Sequence, residues 1–359
     1  MLLSNFDIFV FNDTEYLLEG NMSYIMTFLL AVIIAVIVTP ITIILAKRWG
    51  IMDYPGERRV HTIPVPRMGG TAIYVSFWTA VLLKVEINST VLGLLLGSTI
   101  IFIVGIVDDI KGLKPLTKLC WQFISASILV WFGLTVAKVT LPFIGTVNLG
   151  IFGVLVAVIW VVGLVNTVNF SDGLDGLAAG ICFIASAILF WSANRIEQVT
   201  ASYLMLALAG ACLGFLVFNF HPAKVFMGDS GSMFLGYIIG AVSILGLLKT
   251  ATVIGVVFPL LVLGMPLTDM IFAIIRRRWK GISIARADRG HLHHRLLDAG
   301  FSQRQAVLLL YGISMSFGLC AILCIQGNVY PALILIALNI ILIIAIMFSA
   351  KAIKSHEKE

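Results

Sequence analysis

Five short clusters of acidic, amide and histidine residues interrupt an otherwise apolar chain, and each could do chemistry. Asp108-Asp109 closes one apolar run and is followed by Lys111. Adjacent carboxylates raise each other's pKa unless cations sit nearby. Acids at a helix C-terminus also oppose the helix dipole, so a solvated helix end explains the pair poorly. Asn166, Asn169, Asp172 and Asp175 recur at every third residue, which where helical puts neighbours on one face. Gly173 and Gly176 interrupt that helix and allow close backbone approach. Amide and carboxylate oxygens are hard ligands suited to Mg²⁺, although an Asx-rich turn capping the next helix has the same composition. Phe226-Met-Gly-Asp229-Ser-Gly-Ser232 opens another apolar run. An Asp in that place can hold a metal while the helix N-terminus accepts phosphate, or it can be an ordinary N-cap. Asp269 lies within an apolar run after Met265-Pro266. A carboxylate inside a membrane span is either functional or paired with a basic residue. The last cluster carries His291, His293 and His294 among Arg286, Arg289 and Arg295. Together they predict an anion site. Zinc lacks the cysteine or two-histidine helix pattern, and a basic loop resting on anionic lipid is the bland alternative.

The elements that must position these groups are membrane helices. The chain has 359 residues, of which 60% are apolar and 12% charged, where a soluble domain carries roughly 25% charged residues. Its mean hydropathy is +1.05. A soluble enzyme and a disordered chain are both excluded. Cys120, Cys182, Cys212, Cys320 and Cys324 all fall in apolar runs and read as small buried hydrophobes. The runs are continuous and near the roughly 20 residues of a helical span, not the alternating strands of a β-barrel. Eleven segments qualify: 24–46, 69–87, 90–107, 117–137, 149–168, 176–193, 199–219, 232–248, 251–275, 304–325 and 330–350. The expected fold is therefore an all-α polytopic membrane protein of about eleven helices, or ten.

Charge gives the orientation. Of the 24 lysines and arginines, 20 fall on one side of this topology, a strong positive-inside signal. It puts the N-terminus outside and the C-terminus in the cytoplasm. All six histidines lie on the cytoplasmic side. The first apolar run is too long for a signal peptide and is preceded by Asp7, Asp13, Glu15 and Glu19. The expected organisation is a single membrane-embedded catalytic domain over 1–359, with a short outer segment 1–23 and a cytoplasmic tail 351–359. A transporter would need polar residues near the midplane on a path open to both sides, and a scaffold would not need five polar clusters on one face. An acidic, metal-binding centre facing a basic loop suits a phosphate-bearing soluble substrate that meets a lipid substrate. No Walker A or GxGxxG string points to ATP or NAD.

The clusters also match a family. Asp108-Asp109, the Asn166-to-Ala178 segment, Met227-Gly-Asp-Ser-Gly-Ser232, Asp288-Arg-Gly-His-Leu-His-His-Arg-Leu296 and the earlier Pro66-Arg67-Met-Gly-Gly70 occur in one order. In that order they resemble the polyprenyl-phosphate N-acetylhexosamine-1-phosphate transferases, over the chain from its first span to about residue 304. Translocases acting on phospho-MurNAc-pentapeptide carry three consecutive histidines in the last large cytoplasmic loop. His291-Leu-His293-His294-Arg295 looks like the branch that transfers GlcNAc-1-phosphate to undecaprenyl phosphate in a bacterial inner membrane. That branch begins O-antigen, common antigen or wall teichoic acid synthesis. The resemblance implies UDP-GlcNAc and undecaprenyl phosphate as partners, Mg²⁺ (with Mn²⁺ as a substitute) as cofactor, and by analogy a homodimer. It implies Asp229 as leading metal ligand with Asn169 second, and Asp108, Asp109 and Asp229 as the catalytic group. It further implies Asn166, Asp172 and Asp175 near the nucleotide, with His291, His293, His294, Arg295, Arg67 and Lys111 on the substrates. A single displacement and a phospho-aspartate route both remain open. UDP-GalNAc and UDP-MurNAc-pentapeptide are the alternative donors.

Overall fold

The computed structural model describes the backbone of residues 4–55, 63–141, 145–246, 253–279, 281 and 290–356. Arg58, Arg59, His61, Arg286, Asp288 and Arg289 lie outside the described residues. The chain is helical almost throughout. In order come α1 (Ser4–Trp49), α2 (Gly69–Leu82), α3 (Ser89–Lys111), α4 (Pro115–Trp131), α5 (Phe152–Ser171), α6 (Leu177–Arg195), α7 (Val199–Asn219) and α8 (Gly228–Gly246). Then come α9 (Val253–Val262), α10 (Gly264–Trp279), α11 (Leu292–Asp298), α12 (Gln303–Ile325) and α13 (Val329–His356). Two small antiparallel pairs join them: β1 (Met52–Asp53) with β2 (Val65–Pro66), and β3 (Lys138–Leu141) with β4 (Gly145–Asn148).

Eight of the described helices are long and apolar enough to cross a membrane. The other three predicted spans take different forms. At 14 residues, α2 is about 21 Å long, short of a hydrocarbon core of roughly 30 Å. With 17 residues, α4 is also below full length. The expected single span 251–275 is broken at Leu263 into α9 and α10. Proline explains the break. Pro266 has no N–H to give the carbonyl of Val262, so the helix restarts with Pro266 in its first turn.

Burial orders the bundle. In α8, 89% of the central window is buried, against 22% for α1 and for α13, so α8 is the axle and α1 and α13 face lipid. Packed around α8 are α2, α3, α5, α6 and α7. Close approach at its N-terminus depends on glycine. A Cβ on Gly105 of α3 would run into the backbone of Ser230. Gly228 has φ +72°, and a Cβ there would meet the Asp109 carboxylate, so only glycine fits without strain. Gly105→Val should push α3 off the start of α8, at an expected cost of about 1–3 kcal/mol of stability from overpacking; thermal unfolding in detergent checks it, and an unchanged unfolding temperature would show that the contact gives way.

Candidate active site

Backbone pairing first brings the two ends of the site together. Gly69 and Gly70 donate to the carbonyls of Phe226 and Met227 at 2.9 and 2.8 Å, and Phe226 donates to Pro66 at 2.8 Å. The Pro-Arg-Met-Gly-Gly segment is thus laced to the segment that opens α8. The β1–β2 pairing sets Asp53 beside Val65, so Arg67 emerges between three carboxylates. Its guanidinium lies 3.0 Å from Asp109 Oδ1, 3.1 Å from Asp229 Oδ1 and 3.8 Å from Asp53 Oδ1. Burial works against its charge, but Asp109, Asp229, Asp53 and Asp172 outweigh that and raise its pKa further.

Asp109 serves α8 itself. Its Oδ1 accepts the backbone N–H of Asp229 at 2.8 Å. Its Oδ2 accepts the N–H and hydroxyl of Ser230 at 3.1 and 2.8 Å. The carboxylate is a cap supplied from another helix, and its side chain is 2% exposed. Asp108 turns the other way. It accepts the Leu113 N–H at 2.6 Å and pairs with Lys118 Nζ at 2.7 Å. Lys118 also contacts Asp229 Oδ2. Gly112 at φ +67° and Pro115 reverse the chain after α3, so the first turn of α4 returns Lys118 to the end of α3. Lys111 is exposed and does not line the cavity.

A cavity of about 430 Å³ opens at this end of the bundle. Among its lining residues are Asp53, Arg67, Asp108, Lys118, Asn169, Asp172, Asp175, Asp229, His294 and Gln303. Burial pushes the Asp172 carboxyl up to about 7, and Asp229, Asp109 and Asp175 add to that while Arg67 opposes it. Asn169 donates its amide to Ser232 at 2.9 Å, which keeps its oxygen available as an acceptor. Asn166 lies outside the lining; it exchanges hydrogen bonds with Gln122 on α4.

The histidine segment is brought to the cavity by buried struts. Asp269 on α10 accepts the Leu292 N–H at 2.9 Å and faces His291 Nδ1 at 3.0 Å. It therefore caps α11 and holds the histidine that precedes it. The sequence singled out Asp269 as functional or paired; its partner is His291. His293 is 3% exposed, and its ring packs on Gly173, where no Cβ would fit. Burial, with His294 beside it, lowers its pKa to about 3. Arg295 donates to the carbonyls of Gly290 and Met347, tying α11 to α13. Of these four predicted residues, His294 alone lines the cavity.

The donor set fits a hard divalent cation. Among the described residues no three His, Cys, Asp or Glu side chains converge as a complete metal cage. Mg²⁺ does not need one, because it takes one or two carboxylates and completes its shell with water and substrate phosphate. Lys118 and Arg67 already occupy the carboxylates as counter-charges. Six aspartates (53, 108, 109, 172, 175 and 229) nevertheless face or flank the cavity with those two cations. Such an excess admits an anionic substrate only with further positive charge. Sequence reasoning missed Lys118, Asp53, Asn219 and Gln303. The Gly112-to-Pro115 turn was the one signal that pointed to Lys118.

Residues 91–247 match the model of glycosyl transferase family 4. The chain is 37% identical over 325 residues to a Bacillus subtilis (strain 168) protein named "Probable undecaprenyl-phosphate N-acetylglucosaminyl 1-phosphate transferase", covering 90% of this chain and 91% of that one. It is 39% identical to a decaprenyl-phosphate N-acetylglucosaminephosphotransferase of Mycolicibacterium smegmatis, over 79% of this chain and 77% of that one. It is 34% identical to a phospho-N-acetylmuramoyl-pentapeptide-transferase of Halalkalibacterium halodurans, over 83% of this chain and 96% of that one.

His293 gives a pH test of this packing. Its folded pKa of about 3 lies below the ordinary 6.5, so the unfolded chain binds a proton that the folded one refuses. Its contribution is complete above pH 6.5 and is lost as pH falls towards 3. Replacing His293 with Asn should flatten the acid side of the unfolding-temperature profile between those values. A parallel, unflattened profile would show that the folded chain does not hold the His293 pKa below its ordinary value.

Proposed function

The chain belongs to glycosyl transferase family 4, the polyprenyl-phosphate N-acetylhexosamine-1-phosphate transferases, and is a phosphoglycosyltransferase; from that premise we propose that it moves GlcNAc-1-phosphate from UDP-GlcNAc to undecaprenyl phosphate. The product is undecaprenyl-diphosphate-GlcNAc, UMP leaves, and the step opens a cell-envelope polysaccharide pathway. The site then faces the cytoplasm from the inner membrane of a bacterium, as the 20-of-24 asymmetry of basic residues supports. The carrying observation is the single cavity on which Asp108, Lys118, Arg67, Asn169, Asp172, Asp175, Asp229 and His294 meet.

In this reading an oxygen of the lipid phosphate attacks the sugar-bearing phosphorus of UDP-GlcNAc. The new P–O bond forms as the bond from that phosphorus to the bridging oxygen breaks, and the bridging oxygen departs on UMP. Lys118, held by Asp108, seats the lipid phosphate. Asp229 and Asn169 would hold Mg²⁺, whose charge would offset that of the diphosphate. Asp172 and Asp175 face the uridine, while Arg67 and His294 face the sugar-phosphate end. Asp109 keeps the start of α8 in place. Both its oxygens are engaged by α8 and Arg67, which favours direct displacement over a phospho-aspartate at that residue. Chemistry of this kind rests on positioning and electrostatics.

UMP release by detergent-solubilised protein with undecaprenyl phosphate and Mg²⁺ tests the proposal, with UDP-GlcNAc and UDP-MurNAc-pentapeptide as parallel donors. Release with UDP-GlcNAc alone is expected. Release with the pentapeptide donor alone would keep the chemistry and overturn the donor. Asp229→Asn should lose at least about a hundredfold in Mg²⁺-dependent turnover, with the protein still inserted and folded; unchanged turnover would remove Asp229 as the metal ligand.

A further inference from the structure

The loop between α5 and α6 offers two carboxylates to the cavity and holds them differently. Among the described residues, Asp175 is tied through one oxygen only. Its Oδ2 accepts the backbone N–H of Ala223 at 3.0 Å and faces His221 Nδ1 at 2.7 Å. An ionised carboxylate only accepts, so the proton between them belongs to His221 Nδ1. His221 follows the end of α7, with its side chain about one-third exposed. Its backbone carbonyl accepts from Arg304 Nε at 3.1 Å. Arg304 follows Gln303, which lines the same cavity. His221 thus links the start of α12 to the acidic loop.

The path of that loop does not need His221. Gly176 donates to Asn219 Oδ1 at 3.1 Å, and its carbonyl accepts the Tyr311 hydroxyl at 2.5 Å. The His293 ring closes on Gly173. What His221 adds is the second donor on Asp175 Oδ2. One hydrogen bond lets a carboxylate swing about it. Two, from a backbone amide and a ring on separate atoms, fix the plane and leave Oδ1 for a ligand. A fixed carboxylate oxygen on a cavity wall takes O–H or N–H donors, which a uridine presents as ribose hydroxyls and the base imide.

We infer that His221 is a positioning residue for the nucleotide half of the donor, acting through Asp175. This rests on the proposed reaction, in which Asp175 meets the uridine. His221 does not line the cavity itself, so it should affect binding of the nucleotide more than the chemical step.

The test uses the full chain in detergent with His221→Leu, which has no donor, and His221→Asn, whose amide N–H stands near the place of Nδ1. His221→Leu should raise the KM for UDP-GlcNAc and the inhibition constant of UMP about tenfold, as for one lost hydrogen bond to a charged group. Its kcat and its KM for undecaprenyl phosphate should stay within about twofold, and His221→Asn should stay within about threefold throughout, both small beside that energy. Unchanged UMP inhibition in His221→Leu would overturn the inference. So would kcat and both KM values moving together, or Asn behaving as badly as Leu. If thermal unfolding shows that Leu does not fold, His221→Gln, which carries its amide one methylene further out, is read in its place. UMP binding, followed by its shift of the unfolding temperature, needs no turnover. A wild type that binds UMP but releases none from UDP-GlcNAc would overturn the proposed reaction and leave the UMP arm to decide His221; one that does neither overturns both.

Discussion

The buried carboxylate of Asp109 at the N-terminus of α8 is the contact on which the site is built. A helix start leaves backbone N–H groups without partners and carries partial positive charge. Those of α8 sit where the helix enters a largely buried packing, and the Ser230 end is buried. Asp109 supplies both the acceptors and the compensating charge, and Arg67 balances the remainder from the other side. A charge buried this far is tolerable only with such complete pairing. The arrangement then dictates its neighbours. Gly105 and Gly228 must be glycines for α3 and α8 to close on each other. The Pro66-to-Gly70 segment must be laced to Phe226 and Met227 for the guanidinium to arrive.

From that contact the charge pattern spreads outward. Arg67 bridges Asp109, which serves the scaffold, and Asp229, which faces the cavity, while Lys118 bridges Asp108, which both caps the turn after α3 and lines the cavity, and Asp229. Scaffold and site therefore share their cations. In the proposed reaction a cation bound at Asp229 would compete with Lys118 and Arg67 for that carboxylate, and the ammonium or guanidinium it displaced would be left to meet an incoming phosphate.

The sequence made the clusters legible because carboxylates and amides are rare in spans, so their presence alone marks them. It did not make their directions legible. Asn166 and Asn169 share a three-residue spacing, yet Asn166 bonds to Gln122 while Asn169 lines the cavity. Spacing fixes a face, not what that face meets. Lys111 was the nearest lysine in sequence, but the reversal after Gly112 brings Lys118 to Asp108. The span pattern survived in outline, with Pro266 breaking the ninth run into α9 and α10 because proximity of apolar residues says nothing about a missing N–H.

The histidine segment shows why residue type alone overstates a site. Three histidines and an arginine in one short segment read as four ligands of one anion. In the fold, His291 is held by Asp269, His293 fills the space over Gly173, and Arg295 binds carbonyls of Gly290 and Met347. Asp269 also takes the Leu292 N–H that the start of α11 leaves unpaired, and Arg295 ties the helix to Gly290 and to α13. Their effect is to hold a seven-residue helix rigidly enough that His294 keeps its place on the cavity wall. One residue of the segment stands on the cavity wall and three stand behind it, an arrangement that suits a site depending on fixed geometry, since a side chain is only as well placed as the element that carries it.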